Sequence, residues 1–251
     1  MPKLTRPQIW AHRGFSHSYP ENTMASFHAA LSLGVDGLEL DVHLSRDGHL
    51  VVIHDEHLDR TTTGTGLVVD HTLAELKQLD AGSKFDPRFA GERIPTLDEV
   101  LVLVSQSSRP ITLNIEIKSG ILPYPNLECL AYEAVSRYGL LQRVIFSSFN
   151  HFAMRNLKQT YHGSRIGLLY TAGLVDPWRY AQFLEAEALH PLFYSVDKSI
   201  IDDAHRAGVA VHAYTIDDVD DMVRLAADGI DAIITNRPDV MLQARNNHES
   251  L

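Results

Sequence analysis

The feature of this sequence that most restricts its fold is a unit that recurs along it: a stretch of helical period, then a glycine, then at once an apolar run. Gly34 precedes Val35, Gly139 precedes Leu140, Gly208 precedes Val209 and Gly229 precedes Ile230. Glycine just past a helix end takes the left-handed cap without a Cβ clash. Stretches such as Asn22 to Leu33, Leu127 to Tyr138 and Asp217 to Ala227 repeat apolar residues at three- and four-residue steps, as a helix packed on one side requires. Eight apolar, β-branched runs alternate with such stretches: Gln8 to His12, Gly37 to Val42, Ile111 to Lys118, Val144 to Phe149, Arg165 to Tyr170, Leu189 to Phe193, Val209 to Thr215 and Ala232 to Thr235. Parallel strands joined by helical crossovers give this alternation, and eight of them close most simply into a (β/α)8 TIM barrel. An open doubly wound sheet is the alternative, which no glycine-rich dinucleotide or P-loop fingerprint favours. A chain of 251 residues suits one such barrel, so residues 1–251 are expected to form a single domain.

With 45% hydrophobic and 22% charged residues the chain can bury a sizeable core, which excludes disordered and fibrous classes. Its net charge of −10 makes it a poor general binder of nucleic acid or anionic membrane, while leaving room for a local basic pocket that takes one phosphate. Cys129 is the only cysteine, so a disulfide-stapled secreted fold is excluded and a cytoplasmic setting fits. The stretch Met1 to Gln8 offers no apolar segment of the kind a cleavable secretion signal needs. No apolar run is long enough to span a bilayer, so no stable membrane insertion is expected. Nothing fixes an oligomeric state, and the polar segment Gln243 to Leu251 is expected to fray.

One apolar run breaks the alternation. Leu50 to His54 follows Gly37 to Leu44 too closely for a parallel crossover, and Asp47-Gly48 is a strong two-residue hairpin signal. The second strand is therefore expected to overshoot and fold back, with Arg46 facing His49 and Asp41 facing His54. The stretch 55–95, rich in Thr, Gly and charged residues, reads as a small insertion leaving that hairpin and sitting over the barrel mouth.

Reacting groups in such a barrel lie at the carboxyl ends of the strands. Glu39 and Asp41 share one face of the second strand, because Leu38, Leu40 and Val42 take the alternate positions and must face the helices. Glu116, flanked by Ile115 and Ile117, brings a third inward carboxylate, with Lys118 in the same relation. Like charges in a low-dielectric cavity repel strongly unless something positive lies between them. An all-oxygen set without cysteine suits one hard divalent ion, Mg2+ or Ca2+. The bland alternative is a salt-bridge cluster of the carboxylates with Lys118 or Arg13. His12 ends the first strand and the hairpin carries His54 beside Asp41. Two imidazoles that exchange acid and base roles, with Arg13 and Lys118 as fixed cations, match a small anionic substrate bearing phosphate oxygens. The remaining histidines, His17, His43, His49, His57 and His71 among them, are expected on the surface or in loops. Asn22 and Thr23 are assigned to capping. Glu21 is placed to orient Arg13 or a substrate hydroxyl. Phe149, Tyr170 and Tyr214 fall at strand ends, as core packing or as an apolar wall for the carbon part of a ligand.

These residues resemble a family. The motifs IWAHRG (Ile9 to Gly14), PENT (Pro20 to Thr23), GLELDVHLSRDGHLVVIHD (Gly37 to Asp55), DRTTTG (Asp59 to Gly64), IPTLDEVL (Ile94 to Leu101), NIEIK (Asn114 to Lys118) and SSF (Ser147 to Phe149) together resemble the glycerophosphodiester phosphodiesterases of the bacterial cytoplasmic type. The resemblance covers nearly the whole chain. It implies a distorted TIM barrel with a small insertion after His54-Asp55, and metal-dependent hydrolysis of deacylated phospholipids to sn-glycerol 3-phosphate and an alcohol. By position it implies His12 and His54 as acid and base, Glu39, Asp41 and Glu116 as metal ligands, and Arg13 and Lys118 as phosphate contacts. Two departures stand out. Tyr214-Thr215-Ile216-Asp217 replaces a Trp-Thr-Val-Asn common in the family, altering the wall against the glycerol. Thr235-Asn236-Arg237-Pro238 replaces a Thr-Asp-x-Pro, expected to be neutral because either residue caps the final helix.

Three other functions compete. A non-catalytic binding barrel has no need of both histidines and three carboxylates. A metal-dependent amidohydrolase calls for a His-x-His pair on the first strand, where this chain has His12-Arg13-Gly14. A lysophospholipase-like phosphodiesterase is the nearest rival, and the lack of an obvious exposed apolar surface helix in the sequence counts against it.

Overall fold

The computed structural model describes residues 6–120, 122 and 124–248. Among the described residues nine strands form: β1 (Gln8–His12), β2 (Gly37–Leu44), β3 (Leu50–Val52), β4 (Thr112–Ile117), β5 (Val144–Ser148), β6 (Ile166–Tyr170), β7 (Ala188–Pro191), β8 (Ala210–Ala213) and β9 (Ala232–Thr235). Their order is β1-β9-β8-β7-β6-β5-β4-β2-β3, and an added β1–β2 pairing closes the sheet. All the closing pairs are parallel, and only β3 runs antiparallel, outside the ring on β2. The result is a (β/α)8 barrel, with β2 extended into a hairpin.

The helices are α1 (Met24–Leu33), α2 (Leu73–Leu76), α3 (Leu97–Ser105), α4 (Leu127–Arg137), α5 (His151–Thr160), α6 (Pro177–Phe183), α7 (Lys198–Arg206), α8 (Val219–Asp228) and α9 (Pro238–His248). Many begin on a side chain that takes up the free amides of the first turn. Thr23 and Thr96 do so in reciprocal pairs with Ser26 and Glu99, and Asn150, Asp197 and Asp218 do so alone. The fraying expected from Gln243 onward does not hold to His248. α9 continues that far because Met241, Leu242, Ala244 and Arg245 are buried against the barrel; residues 249–251 lie outside the described residues.

Strand alternation sorts the core into two layers. Outward residues such as Ile9, Leu38, Leu40, Leu113, Ile115 and Phe146 pack against the helices. Inside the ring lie Trp10, Ile145, Ala188, Ala232 and Ile234, together with two buried histidines, His190 and His212. The His190 ring packs directly on Gly167, where a Cβ would collide with it. The stretch between β3 and α3 has its own small core of Leu58, Val68, Leu76, Ala81 and Ile94, built against Val51 and Ile53 of the hairpin. Among the described residues no helix is long and apolar enough to cross a membrane.

The hairpin register differs by one residue from the expected one. Leu44 pairs with Leu50 and Val42 with Val52, so Ile53, not His54, stands opposite Asp41. The cause is the loop. Ser45 closes on His49 and leaves three residues, Arg46, Asp47 and Gly48, in the turn, with Gly48 at φ +82°, the left-handed residue that a three-residue hairpin loop needs. A two-residue Asp-Gly turn would instead set His54 opposite Asp41.

Candidate active site

The carboxyl ends of β1, β2 and β4 converge on one cluster. Glu39, Asp41 and Glu116 each present an oxygen, all within 4.8 Å of one another. Glu39 and Asp41 are buried, and the parallel register sets Asp41 beside Glu116 across the β2–β4 pair. Around them the chain supplies cations and amides. Arg13, in a left-handed backbone conformation at φ 56°, turns its own N–H onto Glu39 Oε2 at 3.0 Å. Its guanidinium lies 3.4 Å from Asp41 Oδ2 and donates to Glu21 Oε1 at 2.9 Å. Lys118 Nζ donates to Glu116 Oε1 at 2.8 Å and lies 3.4 Å from Asp41 Oδ1.

This packing drives the three acids apart in protonation. Burial, then repulsion from Asp41 and Glu116, holds Glu39 well above the usual carboxylate range. Burial and Asp41 also push Glu116 up to about 7, against the pull of Lys118. Burial would raise Asp41 as well, but Lys118 and Arg13 outweigh it and keep it ionised, far below its ordinary value. Asp41 Oδ1 and the inward Asn114 Oδ1 are buried without a hydrogen-bond partner. An all-oxygen set, like charges forced together and an oxygen left open together fit a hard divalent cation. Lys118 and Arg13 form ion pairs with Asp41 and Glu116 around that position.

His12 is fixed from across the barrel. Asn236, just past β9, takes its Nδ1 at 2.7 Å, and Asn236 is in turn held by both carboxylate oxygens of Asp217, at 2.8 Å to its N–H and 2.8 Å to Nδ2. With Nδ2 engaged there, Oδ1 faces His12 and accepts its Nδ1–H. That leaves Nε2 with a lone pair, 3.9 Å from Glu39 Oε2. Burial, then the neighbouring Arg13, lowers His12 to about 4, so the ring is neutral near pH 7. The expectation that Asn236 merely caps the last helix is therefore corrected: its side chain sets the tautomer of His12.

His54 reaches the cluster because the chain leaves β3 after Val52, not through cross-strand pairing. Its Nδ1 meets Asp55 Oδ1 at 2.6 Å. Arg60 clamps Asp55 at 2.6 and 3.0 Å and Glu21 at 2.8 and 2.7 Å, tying the insertion to the loop after β1. A continuous chain of ion pairs and hydrogen bonds thus runs Lys118, Asp41, Arg13, Glu21, Arg60, Asp55, His54. On the other side of the mouth Phe149 meets Tyr214 edge-on, with centroids 6.1 Å apart and planes at 87°, and the Tyr214 hydroxyl donates to the Tyr170 carbonyl at 3.0 Å.

The structure brings together His12, Arg13, Glu21, Glu39, Asp41, Glu116 and Lys118, with His54 at the hairpin edge and Phe149 and Tyr214 as a wall. Sequence reasoning missed several partners. Asn22 is not a cap: Thr23 caps α1, and Asn22 Nδ2 donates to Asp41 Oδ2 at 2.8 Å. His43 is no surface residue. It is buried beneath the hairpin, bonded to the Tyr124 hydroxyl at 3.0 Å and the His54 carbonyl at 3.1 Å. His190 and His212 likewise are interior. Strand parity carried the signal for all three histidines, since His43 continues the Glu39, Asp41 face and the others alternate with outward Leu189 and Val211.

Comparison with known proteins adds an independent result. Residues 12–240 match the glycerophosphoryl diester phosphodiesterase family. A glycerophosphodiester phosphodiesterase of Caldanaerobacter subterraneus subsp. tengcongensis is 49% identical over 234 residues, 93% of this chain and 96% of the relative. One from Bacillus altitudinis is 37% identical, covering 95% and 98%. Among solved structures, an Oleispira antarctica phosphodiesterase in complex with its product sn-glycerol-3-phosphate superimposes with a TM-score of 0.85 at 36% identity, covering 96% of this chain and 97% of that one.

Proposed function

This chain belongs to the glycerophosphoryl diester phosphodiesterase family, and from that premise we propose that it hydrolyses glycerophosphodiesters to sn-glycerol 3-phosphate and an alcohol. The observation that carries this reading is the convergence of His12, His54 and three carboxylates on one mouth, in a barrel that superimposes on a phosphodiesterase holding that product. Glu39, Asp41 and Glu116 would hold one Mg2+ or Ca2+. The ion would supply Lewis-acid stabilisation of charge on the phosphoryl oxygens.

The chain's own residues do the rest. Arg13 and Lys118 are preorganised cations for the phosphate, and their ion pairs keep them in place before substrate arrives. His12, neutral with its lone pair on Nε2, removes the proton from the glycerol 2-hydroxyl. That oxygen attacks phosphorus and closes a five-membered cyclic phosphate as the P–O bond to the alcohol breaks. An internal nucleophile of this kind is worth an effective molarity of about 10⁵ M or more when oriented. His54, oriented by Asp55 through Nδ1, protonates the departing alcohol from Nε2. Water then opens the ring with the two histidines in exchanged roles. Residues 55–95 act here as a cap that delivers Asp55 and Arg60 to His54.

The test uses metal-free protein with glycerophosphocholine and glycerophosphoethanolamine, restoring Mg2+ or Ca2+ in turn. Turnover should require the ion, and an analogue lacking the 2-hydroxyl should bind yet react orders of magnitude more slowly. Equal turnover of that analogue would remove the cyclic phosphate, and full activity in excess chelator would remove the metal.

A further inference from the structure

The catalytic mouth lies at the carboxyl ends of the strands, and a second polar recess lies at their amino ends. A cavity of about 510 Å³ opens there, between the start of β1, the end of α1, the loop before β4 and the last helix. Its described lining carries three arginines, Arg6, Arg109 and Arg245, against a single carboxylate, Asp36. Three guanidinium groups and one carboxylate leave two positive charges in excess, in a chain whose net charge is −10. The Asp36 carboxylate is already shared. Its Oδ2 accepts the Ile9 N–H at 2.9 Å and the Arg245 guanidinium, while Arg109 Nη2 lies 4.0 Å from Oδ1, too far for a hydrogen bond. Arg245 is only 8% exposed, and its Nε is buried without a hydrogen-bond partner, a state that buried donors rarely keep. Gly34, at φ +87°, makes room for Arg109, since a Cβ there would stand 2.8 Å from Nη1. Like charges gathered in a recess repel unless an anion joins them.

We propose that this cavity binds a dianionic phosphate group, free or as a small phosphate monoester, at a site separate from the catalytic mouth. Guanidinium forks match phosphate oxygens in pairs, and the two charges in excess match the dianion that a phosphate monoester carries above about pH 6. A carboxylate brings one charge and cancels half of that excess. The cavity is larger than the anion and leaves space for the carbon part of an ester beside Leu33 and Leu242. Asp36 joins the starts of three strands: its N–H donates to the Ile9 carbonyl at 3.0 Å and its carbonyl accepts the Thr112 N–H at 3.1 Å, next to where β2 begins. A phosphate held there binds the folded chain alone and so stabilises it. The site owes nothing to the hydrolytic reading of the mouth.

Calorimetry of the full chain with Mg2+ present, titrated with inorganic phosphate and separately with sn-glycerol 3-phosphate at low salt, compares the native protein with Arg109→Gln and Arg109→Lys. Arg13 and Lys118 supply the mouth's share of the binding equally in all three, so the difference between isotherms isolates the cavity at the amino ends. The native chain should show a binding step that Arg109→Gln weakens about tenfold or more, the loss that a charge-assisted contact gives. Arg109→Lys, which keeps the charge without the fork, should fall between the two. Acetate should bind at that step about tenfold more weakly than phosphate, or less. Arg109 is half exposed and remote from the mouth, so both variants should keep glycerophosphocholine turnover and the melting temperature without phosphate, while the rise in melting temperature that phosphate gives should shrink. Either order of affinity between the two phosphates supports the site and names its source: the free ion where inorganic phosphate binds as tightly, a monoester where sn-glycerol 3-phosphate binds more tightly. Identical isotherms for the native chain and Arg109→Gln, or acetate binding as tightly as phosphate, overturns the proposal. Should glycerophosphocholine go uncleaved while the Arg109-dependent step remains, the hydrolytic reading fails and the anion site stands.

Discussion

The buried His190–His212 pair makes stability depend on pH in a way the fold dictates. The two rings meet at 3.0 Å inside the barrel, against Trp10, and among the described residues no carboxylate perturbs either ring. Burial lowers His190 from 6.5 to about 3, and burial together with His190 lowers His212. Both rings are therefore neutral when folded and protonate on unfolding as pH falls below about 6.5. Stability from them is fully present above that value and is lost as pH drops, for His190 down toward about 3, at about 1.4 kcal/mol per pH unit. Between about pH 7.5 and pH 5, His190 alone should cost about 2 kcal/mol. Glu116, raised to about 7, works in the opposite direction over part of the same window, because its folded form binds protons more readily than the unfolded chain. The clean measurement is thus a difference: urea unfolding of the native chain and His190→Gln at both pH values, with metal held constant. The substitution should remove about 2 kcal/mol of the acid-induced loss while lowering stability at pH 7.5 through imperfect packing on Gly167. Equal pH slopes for the two proteins would refute the reasoning, showing that the pair is solvated or already protonated in the fold.

Other consequences can be checked together. Metal binding competes with protons on Glu39 and Glu116, so affinity should rise with pH up to about 7, and calorimetry in buffers of different ionisation enthalpy should show proton release; Glu39→Gln or Glu116→Gln should weaken binding and abolish the thermal stabilisation that the ion gives. Loss of His12 or His54 should each cost about 10² to 10⁴ in kcat, with circular dichroism unchanged, and His49→Ala should cost little. Asn236→Asp places a carboxylate at His12 Nδ1, so the limb of the kcat/KM profile that reports His12, low at about 4 in the native chain, should move to higher pH. Asn22→Leu removes the hydrogen bond to Asp41 and should weaken metal affinity, in the range of 10- to 100-fold that loss of a ligand's orienting partner gives.

The sequence by itself determined what is local and periodic. The helix–glycine–strand repeat yields the barrel, and strand alternation turns Glu39, Asp41 and Glu116 inward because Leu38, Leu40 and Ile115 must face the helices. The tight hairpin after β2 carries His54 near that cluster in either register, since a one-residue change in the turn shifts pairing but not which end of β2 the chain leaves from. Tertiary structure alone decided what closure brings together. His12 and Asn236 are 224 residues apart, and only the β1–β9 seam makes them neighbours. Arg60 joins Asp55 to Glu21, 39 residues away, because the stretch after β3 comes back beside the loop that follows β1. His190 and His212 sit at inward positions that the pattern marks, yet whether such a position faces the solvent-filled mouth or the dry interior depends on the stagger of all eight strands. Burial and partner therefore follow from ring closure, and with them the protonation states of His12, Glu116 and His190, which no stretch of sequence specifies alone.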